Sequence, residues 1–227
     1  MFNPDIIYED NHLLVVVKPV NMPVQEDRSG DPDLLNELKE YIRVTDDKPG
    51  NVYLGLVHRL DRPTGGVMVF AKTSKAASRL SDTIRRQKME RHYYAVLHGT
   101  HLQGSGTFID YLYKDNEQNQ VFVVDKGTPK AKKAILHYEV LEQIDNKTLV
   151  KIELETGRSH QIRVQFSSRG LPLWGDQKYG QQFSKIGQQL ALFACSLSFP
   201  HVTKKDRRTY EALPPSIEPW TLFKTFR

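Results

Sequence analysis

Residues 57–66, VHRLDRPTGG, place a histidine, two arginines and an aspartate within five positions. An opposite charge within about 4 to 6 Å favours the ionised form of a carboxylate, so Arg59 and Arg62 would keep Asp61 negatively charged. An ionised, oriented aspartate can act as a nucleophile or a general base. The alternative is a solvated turn in which Asp61 caps its own loop while the arginines extend into water. The glycine pair that ends the stretch permits a tight connection or a close ligand approach.

A second dense polar cluster occurs about 100 residues later, in LETGRSHQIRVQF. It contains Arg163, and the planar guanidinium of arginine donates two parallel hydrogen bonds to a carboxylate or a phosphate. Arg163 could therefore face an anion. Between the clusters, RHYYAVLHG carries Tyr93 and Tyr94, which point to opposite faces if the segment is a strand. One tyrosine would face the core and the other the working side of the sheet, although core packing is the default for each.

The segments that must position these residues are mainly strand-like. VMVFAK predicts a strand after the glycines, and TSKAASRLSDTIRRQ predicts an amphipathic helix. RHYYAVLHG, GTFIDYLY, QVFVVD, KAILHYEVLEQI and TLVKIELE predict successive strands. Further helices are predicted for DPDLLNELKEYIR, capped by Asp31, and for RSHQIRVQFSSRG, with Ile162 and Phe166 on one face. Because strands outnumber helices and do not alternate strictly with them, we predict an α+β fold on a large, mainly antiparallel sheet.

Length and composition indicate a soluble globular protein. The chain has 227 residues, 39% of them hydrophobic, without a repeat or an obvious linker, which predicts one domain over residues 1–227. No stretch approaches the run of about 20 apolar residues that spans a bilayer, and the N-terminus lacks the features of a secretory signal. The one cysteine, Cys195, has apolar neighbours and fits a buried structural thiol in a reducing compartment. We therefore expect a cytoplasmic location.

Charge is distributed unevenly along the chain. Residues 1–50 carry 5 Lys and Arg against 11 Asp and Glu, whereas residues 51–100 carry 9 against 3. The basic segment includes the stretch at 57–66. Such asymmetry suits an anionic partner such as nucleic acid, although a basic helix such as SRLSDTIRRQKMER could also be no more than a solvated surface.

Several segments, taken in order, resemble the motifs of the RluA family of RNA pseudouridine synthases. They are IIYEDNHLLVVVKPVNMPV, GLVHRLDRPTGGVMVFAKT, RHYYAVLHG, LETGRSHQIRVQF with the following PLWGDQKYG, and LALFACSLSFPH. The similarity covers roughly residues 6–201, and its most specific part is HRLD followed at the right distance by GRSHQIR. The resemblance implies a pseudouridine-synthase fold and an enzyme that detaches uracil from ribose, turns it and rejoins it through carbon 5.

The resemblance also implies roles for four residues. Asp61 matches the essential aspartate that attacks the target nucleotide, at the base or at the sugar. Tyr93 matches the tyrosine that packs on the target uracil, and Arg163 matches the basic residue paired with the aspartate. Arg59 matches the arginine that fills the gap left when the uridine flips out. The isomerisation requires no cofactor and no metal.

The partner implied by the resemblance is structured RNA, either ribosomal or transfer RNA. Many relatives carry an N-terminal S4 RNA-binding domain, but here the catalytic-type sequence begins by residue 6. We therefore expect the surface of the catalytic domain itself to bind RNA. The basic segment KKDRR at 204–208 is one candidate contact. No membrane or obligate protein partner is expected, and a monomer is the default. The other candidate RNA-binding residues are Arg62, Arg85, Arg86 and Lys88.

Two other classes of protein are compatible with parts of the sequence. A metal-dependent hydrolase could use His58, Asp61 and His160 as ligands, but their spacing is not diagnostic and the flanking arginines would repel a cation. An RNA-binding module without catalysis would keep the basic surface but would have no need of Asp61. The presence of Asp61, Tyr93 and Arg163 together favours an enzyme.

Overall fold

The structure, a computed structural model, describes residues 2–47, 50–204 and 206–227. Among these residues the strands pair mainly in an antiparallel manner and are accompanied by three α-helices, so the predicted α+β class is confirmed. The chain divides into two compact units, Met1–Glu90 with Ala194–Leu213 and Arg91–Phe193 with Pro214–Arg227. One catalytic domain over 1–227 stays a prediction. Among the described residues, no helix has the length and apolar character needed to cross a membrane.

The elements follow one another in the order that the sequence patterns predict. Within the first unit the hydrogen-bonded strand order is β1-β2-β4-β10, with β3 on β4 and β11 on β10; within the second unit it is β5-β9-β8-β6-β7. The element bounds are β1 Asp5–Glu9, β2 Leu13–Lys18, α1 Leu34–Thr45, β3 Gly55–Leu56, β4 Gly65–Ala71, α2 Ser74–Arg85, β5 Glu90–His98, β6 Ser105–Asp115, β7 Gln120–Val124, β8 Lys132–Ile144, β9 Lys147–Leu154, α3 Gln161–Ser167, β10 Leu192–Pro200 and β11 Arg207–Glu211.

Helix α1 begins later than the sequence pattern predicts. Its N-cap is Asp33, whose carboxylate accepts a hydrogen bond from the backbone N–H of Asn36 at 3.1 Å. The predicted cap at Asp31 is wrong because the carboxylate of Asp31 instead forms an ion pair with Arg62. The start of α1 is therefore set by a local cap, and the neighbouring acidic residue is used for a contact distant in sequence.

The core of the first unit lies around β2, β4, β10 and α2. Helix α2 begins after Thr73, whose hydroxyl accepts from the backbone N–H of Ala76 at 3.1 Å. Strand β4 is buried along its whole length, and burial of apolar surface contributes about 25 cal/mol per Å². It fixes the end of the 57–66 loop. The packed residues include Leu13, Val15, Val67, Val69, Ala76, Leu80, Leu197 and Phe199.

In the second unit, helix α3 is shorter than the predicted helix. It begins at Gln161 because His160 adopts the left-handed backbone conformation, with φ of 51°, which cannot continue a right-handed helix. The backbone N–H of Arg158 donates to the side-chain oxygen of Gln161 at 3.0 Å and closes the preceding turn. Ile162 and Phe166 are buried as the helical pattern predicts.

Candidate active site

The 57–66 loop follows β3, includes the first two residues of β4 and is closed by a short turn. The backbone N–H of Thr64 donates to the carbonyl of Asp61 at 2.9 Å, and Asp61 is half-buried. Gly66 has φ of 123°, and a Cβ at this position would lie 2.2 Å from the carbonyl oxygen of Ala194. Glycine is therefore required at 66, because the end of the loop packs directly on the backbone of β10.

A buried lysine at the end of β2 anchors the backbone of this loop. Lys18 is 0% exposed, although lysine is almost never fully buried without partners. Two of its three carbonyl acceptors lie one and three positions after Asp61, so the ammonium holds the chain beside that carboxylate. The acceptors of its Nζ are the carbonyl oxygens of Pro19 at 2.8 Å, Arg62 at 3.0 Å and Thr64 at 2.9 Å.

The charge state of Lys18 is coupled to the loop. Burial lowers the pKa of Lys18 to about 7, the negative charge of Asp61 opposes that shift, and the positive charge of Arg62 adds to it. Sequence reasoning missed Lys18. The available signal was a lysine closing the apolar run LLVVVK, because a charged group at a buried position must find acceptors.

The two arginines that flank Asp61 have different surroundings. Arg59 is exposed. Arg62 donates from Nε to the carbonyl of Asn21 at 3.1 Å and from Nη1 to the Ser29 hydroxyl at 3.0 Å, and its Nη2 contacts the Asp31 carboxylate. Arg62 thus ties the acidic segment before α1 to the loop. Its assignment to RNA binding stays a prediction, weakened by these internal contacts.

The histidines named as possible metal ligands are engaged in hydrogen bonds. The backbone N–H of Val69 donates to Nε2 of His58 at 3.0 Å, and Nδ1 of His160 is bonded to the hydroxyl of Tyr179 at 2.7 Å. Across residues 2–47, 50–204 and 206–227, no group of three or more His, Cys, Asp and Glu side chains is arranged to hold a metal ion. The described residues thus offer no support for the metal-hydrolase alternative.

In the second unit, Arg163 forms a buried ion pair that the sequence did not predict. Its Nε and Nη2 donate to the two carboxylate oxygens of Asp176 at 2.8 and 2.7 Å, and the side chains are 7% and 0% exposed. Burial alone would raise the pKa of Asp176, but the hydrogen bonds and charge of Arg163, with two backbone N–H groups, hold that pKa below its ordinary value. The bidentate contact fixes the guanidinium plane.

Tyr179 supports the same pair from the side. The guanidinium carbon of Arg163 lies 5.2 Å from the centre of the Tyr179 ring, within the range of a cation–π contact. The Tyr179 hydroxyl accepts from the backbone N–H of Val121 at 2.9 Å and is also hydrogen-bonded to Nδ1 of His160. These contacts lock the ring. Asp176 and Tyr179 belong to the GDQKYG segment, which is part of the family resemblance but whose residue types predicted no role for either side chain.

Tyr93 and Tyr94 lie next to each other on β5 and differ in burial, as alternation along a strand predicts. Tyr93 is 7% exposed and pairs across the strands with Ile152. Tyr94 is half-buried, and its ring meets Phe226 edge to face with ring centres 5.1 Å apart. The C-terminal segment therefore occupies the Tyr94 side of the strand, while Tyr93 lies on the opposite side.

The arginines predicted for RNA contact at the end of α2 share one carboxylate. Arg85 and Arg86 both contact Asp82, Arg86 through Nε at 2.7 Å. Their side chains are 74% and 59% exposed. Lys88, just beyond the helix, is exposed. Of the predicted site residues, Arg59, Asp61 and Arg62 lie in the first unit with these three, whereas Tyr93 and Arg163 lie in the second.

Comparison with known proteins identifies the family. Residues 12–168 match the family model described as RNA pseudouridylate synthase. The chain belongs to this family. The RNA pseudouridine synthase YlyB of Bacillus subtilis is 36% identical over 214 residues, which are 93% of this chain and 69% of the relative. The ribosomal large subunit pseudouridine synthase D of Pseudomonas aeruginosa is 40% identical over 182 residues, 79% of this chain and 54% of the relative.

The fold agrees with that assignment. The solved structure of Human RNA Pseudouridylate Synthase Domain Containing 4 has a TM-score of 0.77, with 22% identity, over 98% of this chain and 90% of that chain. The predicted membership of the RluA family and the predicted enzyme class, an RNA pseudouridine synthase, are confirmed. The matched range of this synthase, residues 12–168, includes Arg59, Asp61, Tyr93 and Arg163.

Proposed function

We propose that this synthase isomerises specific uridines in ribosomal or transfer RNA, with Asp61 as the nucleophile. The observation that carries the proposal is the anchoring of the Asp61 loop by the buried ammonium of Lys18. A nucleophile contributes to rate when it is held close to its reacting geometry before the substrate arrives. Backbone anchoring on both sides of Pro63 supplies that order.

The target uridine has to leave its stack before Asp61 can reach it. Extruding a base costs a few kcal/mol, which favours positions that are already unpaired or weakly stacked. Arg59 is exposed two positions before Asp61 on the same loop. We assign it to the space vacated by the flipped uridine, where its guanidinium can stack on neighbouring bases and offset part of that cost.

Tyr93 and Arg163 take the remaining roles. The buried Tyr93 ring is assigned to packing on the target uracil. Arg163 is assigned to orienting the nucleophile, because Asp176 accepts from two of the five N–H groups of its guanidinium and fixes the direction of the others. A fixed guanidinium stabilises negative charge on a neighbouring carboxylate.

The reaction balances within one nucleotide. The bond between N1 and C1′ breaks, a bond between C5 and C1′ forms, and the proton lost from C5 is matched by the proton gained at N1. Asp61 bonds transiently to the nucleotide and is released unchanged. The proposed reaction therefore needs no external oxidant, reductant or group donor.

The proposal is tested by mapping pseudouridines in ribosomal and transfer RNA from cells that lack this protein. Complementation with the wild-type chain should restore a defined set of uridine modifications, whereas Asp61→Asn should restore none at an equal protein level. Identical maps with and without the wild-type chain would refute the proposed RNA classes. Full restoration by Asp61→Asn would refute the nucleophile.

A further inference from the structure

The first unit contains a groove between α2 and the loop that follows β10. It has a volume of about 620 Å³. Its lining includes Arg79, Arg86 and Lys88 from the helical side, and Pro200 at the end of β10 with residues 201–203 of the loop from the other side. The guanidinium of Arg79 donates to the carbonyl of Val202 at 2.6 Å, joining segments 123 positions apart in sequence. The basic helix α2 thus forms one wall of the groove, and the segment that leads to the basic residues 204–208 forms the other.

The loop wall is held rigidly by a buried histidine. His201 has a fully buried side chain, and its Nε2 is bonded to the Asp10 carboxylate at 3.0 Å. Its Nδ1 accepts from the backbone N–H of Lys204 at 3.2 Å and contacts the Thr203 hydroxyl at 3.2 Å. Because both ring nitrogens are engaged, hydrogen bonds hold residues 201–204 together before any ligand binds, which lowers the entropy cost of binding.

The groove is positively charged. Its lining has three cationic side chains, Arg79, Arg86 and Lys88, against one carboxylate, Asp82. The Asp82 carboxylate is shared between Arg86 and Arg85, and the hydrogen bond from Arg85 lowers the pKa of Asp82, which keeps it ionised. Arg85 is not among the residues that line the groove. The two neighbouring arginines therefore share a partner but face different surroundings.

The second basic stretch contributes less to this surface than its sequence suggests. Arg207 contacts the Glu90 carboxylate, and Arg208 donates from Nε to Asp206 at 2.8 Å. Lys205 lies outside the described residues. Both arginines of 204–208 are thus paired with carboxylates of this chain.

We propose that this groove grips the phosphate backbone of the substrate RNA, away from the reacting uridine, through Arg79, Arg86 and Lys88. The inference rests on the proposed function in so far as the bound polyanion is the substrate RNA. Guanidinium groups bind phosphate oxygens through paired hydrogen bonds, and lysine adds a point charge. Most protein contacts to nucleic acid go to the backbone and position the protein without reading sequence. Arg85 lies outside the binding set.

The test compares Arg86→Ala with Arg85→Ala. Each variant removes one cation and one partner of Asp82, so they are matched in charge and differ in whether the lost side chain lines the groove. Binding of a fluorescein-labelled RNA hairpin with a uridine-rich loop is followed by anisotropy between 50 and 200 mM salt. Arg86→Ala and Lys88→Ala should each reduce the log-log salt slope by about 0.7 to 0.9, and Arg85→Ala should leave the slope unchanged.

A third variant changes binding in the opposite direction. Asp82→Asn removes the carboxylate that competes with phosphate for Arg86, so RNA binding should become tighter, an outcome that damage to the fold does not produce. Equal salt slopes for Arg85→Ala and Arg86→Ala, or weaker RNA binding by Asp82→Asn, would contradict the proposal that the groove binds the RNA backbone. These binding assays need no turnover. A failure to form pseudouridine would therefore count against the proposed function, whereas the salt slopes alone would decide whether the groove binds RNA.

Discussion

Lys18 in the first unit and Arg163 in the second are both buried cations, but they are held in different ways. Lys18 donates to three backbone carbonyls, two of which lie one and three positions after Asp61. Arg163 donates to both oxygens of one buried carboxylate, Asp176. An ammonium surrounded by carbonyls fixes the path of a loop, whereas a guanidinium clamped by a carboxylate fixes its own plane. The first arrangement shapes the backbone around a reactive group, and the second orients a side chain.

The largest effect is expected where a buried ion pair is broken. Asp176→Ala leaves the Arg163 guanidinium without its carboxylate, and removing one partner of a buried pair costs about 3 to 5 kcal/mol. Denaturant unfolding should show that loss, and pseudouridine formation should fall. Asp176→Glu, which keeps the charge, should recover part of the activity. A loss below about 1 kcal/mol would mean that the pair is not the main support of Arg163.

A smaller loss of stability is expected from Lys18→Met, with a larger effect on catalysis. The variant leaves carbonyls without a donor, at roughly 1 to 3 kcal/mol for each buried group left unsatisfied, but it also removes the cost of burying a charge. The 57–66 loop should lose its order, so kcat should drop while RNA affinity stays near wild type.

The matched control for Lys18→Met is Lys72→Met. Lys72 lies in the same unit, and its ion pairs are with Glu9 and Asp46, which lie outside the 57–66 loop. The Lys72→Met variant should be less stable than wild type but should keep the wild-type kcat. If Lys18→Met and Lys72→Met have the same kcat at saturating RNA, the positioning role of Lys18 is wrong.

The free energy of unfolding should depend on pH in two separate ranges, an acidic range for Asp176 and an alkaline range for Lys18. The folded pKa of Asp176 lies below its unfolded value of about 3.9. Its contribution is therefore complete above pH ~4 and is lost as the pH falls through the folded pKa. Lys18 has a folded pKa of about 7 and an unfolded value of about 10.4. Between these values the unfolded chain binds more protons, so the free energy of unfolding should rise with pH by up to about 1.4 kcal/mol per unit.

The two windows are separated by measuring denaturant unfolding from pH 3 to 10 for wild type and variants. Lys18→Met should remove the rise above pH ~7 and leave the acid side unchanged, whereas Asp176→Asn should do the reverse. A wild-type curve that falls between pH 7 and 10, with Lys18→Met flat over the same range, would show that the three carbonyl acceptors outweigh burial at Lys18.

The sequence predicts local structure better than it predicts how charges are paired. Alternation along RHYYAVLHG separates Tyr93 from Tyr94, and the apolar pattern of VMVFAK marks β4. The supports of the site were missed because they depend on contacts between distant positions. Lys18 reaches Arg62 across 44 positions, and Asp176 reaches Arg163 across 13.

The same limit explains the error at α1. Asp31 and Asp33 are equally good capping residues by type. In the structure Asp33 caps the helix and Asp31 pairs with Arg62, a contact between positions distant in sequence. The predicted roles of Asp61, Arg59, Tyr93 and Arg163 came from the family resemblance. Charge and spacing alone identified a polar loop and left its chemistry open.

The most direct test of the central claim is tritium release from RNA labelled at carbon 5 of uridine, measured in single turnover with Asp61→Asn beside wild type. Asp125→Asn, a change to an exposed aspartate in the second unit, serves as the control for loss of one negative charge. We predict that wild type and Asp125→Asn release label in step with pseudouridine formation and that Asp61→Asn releases none above background. Release by Asp61→Asn at the wild-type rate would contradict the assignment of Asp61 as the nucleophile.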